Sequence, residues 1–294
     1  MKIILNKDNI YLLVFLVLIT VFLYYNNPKL EQQNKINTNT DEQRYSILRE
    51  NIEKDTEIKA KAISIFNITT NTKLYGHNDT VIFPIASLTK IMSAMIAKNT
   101  IKNEEIIISR DALNQTGDNK LFLNEKWNRD ELLKFSLVLS SNDGMFAITK
   151  EDKFFILEMN KKAKKIGMKY SMFYNTTGLD IDSNKAGAYS TAEDINTLAI
   201  FAMNVHKDIF DVTRLDNAMF LSNDKYEHTI KNTNIMINQI PNILFSKTGN
   251  TTLAGGNMVV IFQNSKAEKI AITILGSSVE GRFVDMMKLI NLLL

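Results

Sequence analysis

The chain has 294 residues, 45% of them hydrophobic and 23% charged, with a formal net charge of +3. That balance is globular and excludes wholesale disorder, the length admits one large domain or two lobes, and so small a net charge carries no nucleic-acid footprint. Cysteine is absent, which excludes disulfides, thiol nucleophiles, thiolate metal sites and a lipid-modified N-terminal cysteine.

Residues 1–9, with Lys2 and Lys7, read as a cytoplasmic N-terminus, and residues 10–25 (IYLLVFLVLITVFLYY) as a membrane segment, because the run is uncharged, almost wholly apolar and ends in two interface-suited tyrosines. At about 1.5 Å per residue it makes roughly 24 Å of helix. No small residues suited to signal cleavage follow in Tyr24, Tyr25, Asn26, Asn27, Pro28 and Lys29. An uncleaved signal anchor in the cell membrane is therefore expected, with everything after it on the periplasmic or cell-wall side. Residues 26–58, rich in Asn, Gln, Lys, Glu and Thr, read as a polar linker, with a short helix of weak packing face over 41–56.

Residues 59–294 carry the folded domain. The runs 61–67 and 73–77 predict a hairpin. Helical spacing follows over 88–98, 129–139, 153–166 and 192–204, then three strands over 243–248, 257–262 and 269–275, and a C-terminal helix over 282–294. The expected class is α/β, more closely α+β: an antiparallel sheet built from both chain ends, flanked by helices, with a helical lobe inserted between them and a cleft where the lobes meet.

Three motifs should converge on that cleft: Ser87-Leu88-Thr89-Lys90, Ser140-Ser141-Asn142 and Lys247-Thr248-Gly249. S-x-x-K, S-x-N and K-T-G in this order describe a serine acyl-transfer site with a lysine base. A second S-x-x-K at Ser222 lies in polar surroundings with no apolar helix after it, and reads as a solvated turn. Ser87 opens a helix instead, so Lys90 lies one turn along the same face, where a neutral amine can take the seryl proton. Burial and a neighbouring cation, Lys247, would tune that amine. The Ser87 N–H and the Asn250 N–H are the expected oxyanion donors. Ser140 would relay a proton to the leaving amine, and Asn142 would meet the substrate amide. Lys247 and Thr248 would hold a carboxylate beside the scissile bond, and Gly249 would let the substrate backbone approach. The histidines, His77, His206 and His228, stand in unrelated segments and are expected at the surface; no H-E-x-x-H or G-x-S-x-G occurs.

With those motifs, the runs PIASLTKIMSAMIA, EKWNRDELLKFSLVLSSND, MNKKAKKIGM, FYNTTGLD, YSTAEDINTLA, KNTN and SKTGNTTLAGGNMVV resemble, in order, the signatures of serine D-alanyl-D-alanine carboxypeptidases, the low-molecular-mass penicillin-binding proteins. The resemblance covers residues 59–294. It implies a β-lactamase/transpeptidase-like fold, removal of the terminal D-alanine from peptidoglycan stem peptides ending in D-Ala-D-Ala through an acyl-Ser87 intermediate, covalent inhibition by β-lactams, and neither metal nor organic cofactor. Arg282 matches a position often held by arginine in that family, and would bind the substrate carboxylate or form a structural ion pair. Two departures stand out: the 144–153 segment is short, with Gly144 where alanine is usual, and the chain stops after its last catalytic-domain helix. A D,D-endopeptidase acting on cross-links would use the same groups. A class A β-lactamase needs a glutamate in an E-x-x-x-N pattern, which Glu158 and Glu193 do not supply. An inactive peptidoglycan-binding scaffold would not need the catalytic residues intact.

Overall fold

The computed structural model describes residues 13–18, 20, 42–55, 57–102, 104–117 and 120–294. They fall into two units, Met1–Lys54 and Asp55–Leu294. In the first, residues 13–18 and 42–54 are helical. Much of the segment expected as an anchor, 10–25, and residues 26–41 lie outside the described residues. Among the described residues no helix is long and apolar enough to cross a membrane.

In the second unit the strands β1 (Ala62–Asn67), β2 (Thr72–His77), β3 (Ile243–Thr251), β4 (Gly255–Gln263) and β5 (Lys269–Ser277) form an antiparallel sheet in the order β3-β4-β5-β1-β2. The chain ends meet where β1 pairs with β5, Ile65 opposite Ile272. The longer helices are α1 (Thr89–Thr100), α2 (Arg129–Leu139), α3 (Asn142–Thr149), α4 (Lys153–Lys165), α5 (Ala192–Val205) and α6 (Gly281–Asn291). Strands β4 and β5 read as unbroken apolar runs because both faces of the sheet are covered. Val259, Ile261, Ala271 and Leu275 belong to the main core under α5. The alternate residues Met258, Val260, Ile270, Ile272 and Ile274 point the other way, toward α6 with its buried Met286, Leu289 and Ile290.

Helix α1 is buried from Thr89 through Ala97 and packs against α2, α3, α4 and α5. Its Ala- and Met-rich composition suits a helix enclosed on all sides. Strand β3 is one edge of the sheet, β2 being the other, and it borders the turn that opens α1. That juncture brings the first and third motifs together.

Two sequence expectations are corrected. Ser222 lies in the turn of a hairpin, Asn217–Leu221 with Glu227–Lys231, but it is only 2% exposed and its Oγ accepts the Tyr226 N–H at 3.1 Å. Its polar neighbours Asn223 and Asp224 are exposed and bond across to Glu105 and to the Lys126 N–H. Nor are the histidines all at the surface: His206 and His228 are buried. His228 Nε2 sits 2.6 Å from Glu125 Oε1, with the rings of Trp127 and Phe135 at 5.0 and 5.8 Å. A carboxylate partner and an aromatic cage make that burial tolerable.

Candidate active site

The nucleophile turn is a 3₁₀ segment, Ala86–Leu88, running directly into α1. Ala86 has φ +48°, a left-handed conformation that an L-residue adopts only when its surroundings impose it. Those surroundings are two glycines. A Cβ on Gly178 would stand 2.0 Å from the Ala86 carbonyl oxygen, and one on Gly249 2.9 Å from the Ile85 oxygen and 3.1 Å from the Ser87 nitrogen. Gly249 was expected to let substrate backbone approach; it lines the cavity, and the same absent Cβ also makes room for the protein's own nucleophile turn.

Ser87 is half-buried, and Lys90, three residues on, is fully enclosed. The Lys90 amine lies 2.9 Å from Ser87 Oγ, 2.6 Å from Asn142 Oδ1 and 2.8 Å from the Thr177 carbonyl oxygen. Asn142 is the first residue of α3, and its Nδ2 donates to the Thr116 carbonyl. Ser141 caps α3 by accepting the Gly144 N–H at 2.9 Å. An alanine Cβ at Gly144 would stand 2.3 Å from Ser136 Oγ, so that hydroxyl would have to move from its bond to the Leu132 carbonyl.

Ser140 ends α2 in a left-handed conformation, φ 61° and ψ 32°, which turns its side chain toward β3. Lys247 donates to Ser140 Oγ at 2.8 Å and to the Thr248 carbonyl at 2.9 Å. Thr248 Oγ1 donates to Thr233 Oγ1 at 2.7 Å. Thr233 comes from the KNTN run, which was recognised as a signature without a role. Arg282 is buried, donates to the Gly249 carbonyl at 2.8 Å and lies over the Phe283 ring at 4.7 Å. Among the described residues it makes no ion pair, so it does not serve as half of a structural one.

Ser87, Ser140, Asn142, Thr248, Gly249, Asn250 and Arg282 line one cavity of about 280 Å³, together with Gly117, Leu139 and Thr233. Lys90 and Lys247 lie behind this lining. All nine residues singled out from the sequence therefore belong to one locus. No carboxylate lines the cavity; Glu158 pairs with Lys161, and Glu193 with Lys73, elsewhere. Burial, then the charge of Lys90, then that of Arg282 hold the Lys247 amine well below the ordinary lysine range. Burial also lowers Arg282. Among the described residues no group of three His, Cys, Asp or Glu is placed to hold a metal ion.

The arrangement offers a hydroxyl beside a buried amine, backbone N–H groups at a helix start and a strand edge, and a cationic end formed by Lys247 and Arg282. A family model described as D-alanyl-D-alanine carboxypeptidase matches residues 49–278. The chain is 31% identical to a D-alanyl-D-alanine endopeptidase of Escherichia coli over 69% of its own length and 67% of that protein. It is 27% identical to the D-alanyl-D-alanine carboxypeptidase DacF of Bacillus subtilis over 79% of its length and 61% of that protein. Its fold matches penicillin-binding protein D2 of Listeria monocytogenes, solved in an ampicillin-bound form, with TM-score 0.67 and 24% identity over 81% of this chain and 98% of that one.

Proposed function

The chain belongs to the D-alanyl-D-alanine carboxypeptidase family of serine peptidases, and we propose from that premise that Ser87 removes the terminal D-alanine of a peptidoglycan stem peptide. The observation that carries this reading is the buried Lys90 amine 2.9 Å from Ser87 Oγ. In its neutral form it takes the seryl proton while Oγ attacks the carbonyl of the penultimate D-alanine. The Ser87 N–H, at the start of a helical segment, and the Asn250 N–H, on the edge strand β3, hold the developing oxyanion. Ser140, held by Lys247, passes a proton to the departing amine, and Asn142 meets the substrate amide. Thr248, the Thr233 hydroxyl beside it and the cations Lys247 and Arg282 receive the leaving residue's carboxylate. Water then releases the acyl group.

A β-lactam presents a strained amide next to a carboxylate and would acylate Ser87 in the same way. The cavity lining holds no glutamate to activate a deacylating water, which favours a long-lived adduct over β-lactamase turnover. The uncharged run at 10–25 supports a membrane anchor, with the peptidase outside the cytoplasm.

The test is to incubate the full-length protein with benzylpenicillin and follow intact mass over time. A stable adduct on the wild type that is absent from Ser87→Ala is expected; no adduct on the wild type sinks the reading. Release of free D-alanine from a pentapeptide, measured against scission of a cross-linked dimer, then distinguishes the carboxypeptidase from an endopeptidase. Arg282→Ala should raise KM for the pentapeptide about 10- to 100-fold, the worth of a charge-assisted hydrogen bond. Hydrolysis of a thioester lacking the carboxylate should be unaffected by that substitution. Equal effects on both substrates would remove Arg282 from carboxylate recognition.

A further inference from the structure

The turn of residues 175–179 contributes nothing to the cavity lining, yet it grips the nucleophile segment at several points. The Lys90 amine donates to the Thr177 carbonyl at 2.8 Å, and Ser93 Oγ to the Thr176 carbonyl at 2.6 Å. Gly178, at φ +82°, lies against the Ala86 carbonyl. Within this turn Thr177 Oγ1 accepts the Leu179 N–H at a long 3.4 Å, and a second side chain makes the two shorter bonds. Asn175, 8% exposed, accepts the Gly178 N–H through Oδ1 at 2.8 Å and donates through Nδ2 to the Leu179 carbonyl at 2.8 Å. Its amide fills the space over Gly187, where a Cβ would stand 2.3 Å from both Asn175 Nδ2 and the Leu179 oxygen.

We propose that Asn175 is a positioning residue for the reaction: it fixes the turn so that the Thr177 carbonyl orients the Lys90 amine toward Ser87. The inference rests on Lys90 acting as the base. A neutral amine has two N–H donors and one lone pair, whereas Asn142 Oδ1 and the Thr177 carbonyl can only accept. Each takes one N–H, and the lone pair is then directed at the Ser87 hydroxyl, which donates to it. Without the carbonyl the amine is free to turn an N–H toward Ser87, an orientation in which it cannot receive a proton. The contact is made by main chain, so replacing the Thr177 side chain would not reveal it. Asn175 is the side chain through which it can be reached.

The experiment measures the first-order acylation constant at saturating penicillin, per titrated active site, and the dissociation constant of the preceding non-covalent complex. Asn175→Ala should lower the acylation constant about 10- to 100-fold and change the dissociation constant by less than about threefold. Asn175→Ser, whose hydroxyl still accepts an N–H two or three residues on, should recover most of the loss. Gly187→Ala, which presses on the same amide, should reproduce it. A purely structural role would reduce the fraction of active sites and the melting temperature while each remaining site reacts at the normal rate, and that result overturns the inference. So does an unchanged constant in both Asn175→Ala and Gly187→Ala with a reactive wild type, which leaves the functional reading standing. A wild type that is never acylated overturns both.

Discussion

Lys90→Met should lower the rate of Ser87 acylation by about 10⁴-fold, the upper end of what a positioned base supplies, while the melting temperature moves by less than about 5 °C. The rate falls because, among the described residues, no second base is hydrogen-bonded to Ser87 Oγ. Lys247, the other buried amine, donates to Ser140 and to the Thr248 carbonyl, and no hydrogen bond joins it to Ser87. Stability changes little because two terms oppose each other. Methionine removes the hydrogen bonds that Asn142 Oδ1 and the Thr177 carbonyl accept from the amine, about 1–3 kcal/mol apiece. It also removes an amine whose enclosure imposes a desolvation penalty of several kcal/mol when charged. Lys90→Arg keeps the charge and cannot act as a base, so its acylation should be lost as well; it has no room for a guanidinium and should be the less stable variant. Stopped-flow acylation and thermal melts on the same samples check both halves. Acylation by Lys90→Met within about tenfold of wild type would show that the proton leaves by another route.

The spacing of Ser87 and Lys90 was legible because it is local: three residues on one helical face bring hydroxyl and amine together whatever the rest of the chain does. The runs of β4 and β5 were equally plain, since strands covered on both faces have no polar alternation to confuse them. What the letters did not disclose is tertiary. The left-handed backbone at Ser140 aims its hydroxyl at β3, and serine carries no propensity that announces such a turn. Thr233 is adjacent to Thr248 only because the Asn217–Lys231 hairpin delivers the KNTN run to the cleft, and that hairpin itself was missed: of its inward positions Ala218, Phe220, His228 and Ile230, only Phe220 and Ile230 are large and apolar, too few to mark a period of two in the sequence. Gly249 and Gly178 illustrate the same limit. Gly249 was read for the substrate and Gly178 only as part of the FYNTTGLD run, whereas at both positions the absent Cβ makes room for Ile85, Ala86 and Ser87, residues far off in sequence.

Lys247→Met should stabilise the protein at acid and neutral pH by an amount that shrinks as pH rises toward 10.5, while lowering turnover of a carboxylate-ended peptide by about 10²- to 10³-fold, the effect of removing one electrostatic contact at a reacting centre. The Lys247 amine is fully enclosed, and burial, with the nearby charges of Lys90 and Arg282, depresses its folded-state pKa well below 10.5. Between that depressed value and 10.5 the unfolded chain binds a proton that the folded chain does not, so stability rises with pH across the window. Below the window both states are protonated and the slope vanishes, but the penalty for a charged, buried amine is then at its largest. Above 10.5 both are neutral and the penalty is gone. Methionine removes a term that is largest below the window and zero above it, so the gain in melting temperature must follow the same course. A gain that is flat with pH, or grows with it, would mean that Lys247 carries no such penalty. The loss of turnover has a separate origin: without the amine, Ser140 loses the donor that holds it and the cavity loses one of the two cations facing the carboxylate. The site thus keeps at Lys247 a buried cation that opposes folding, because the leaving group is an anion and, among the described residues, Lys247 is the charged side chain hydrogen-bonded to Ser140.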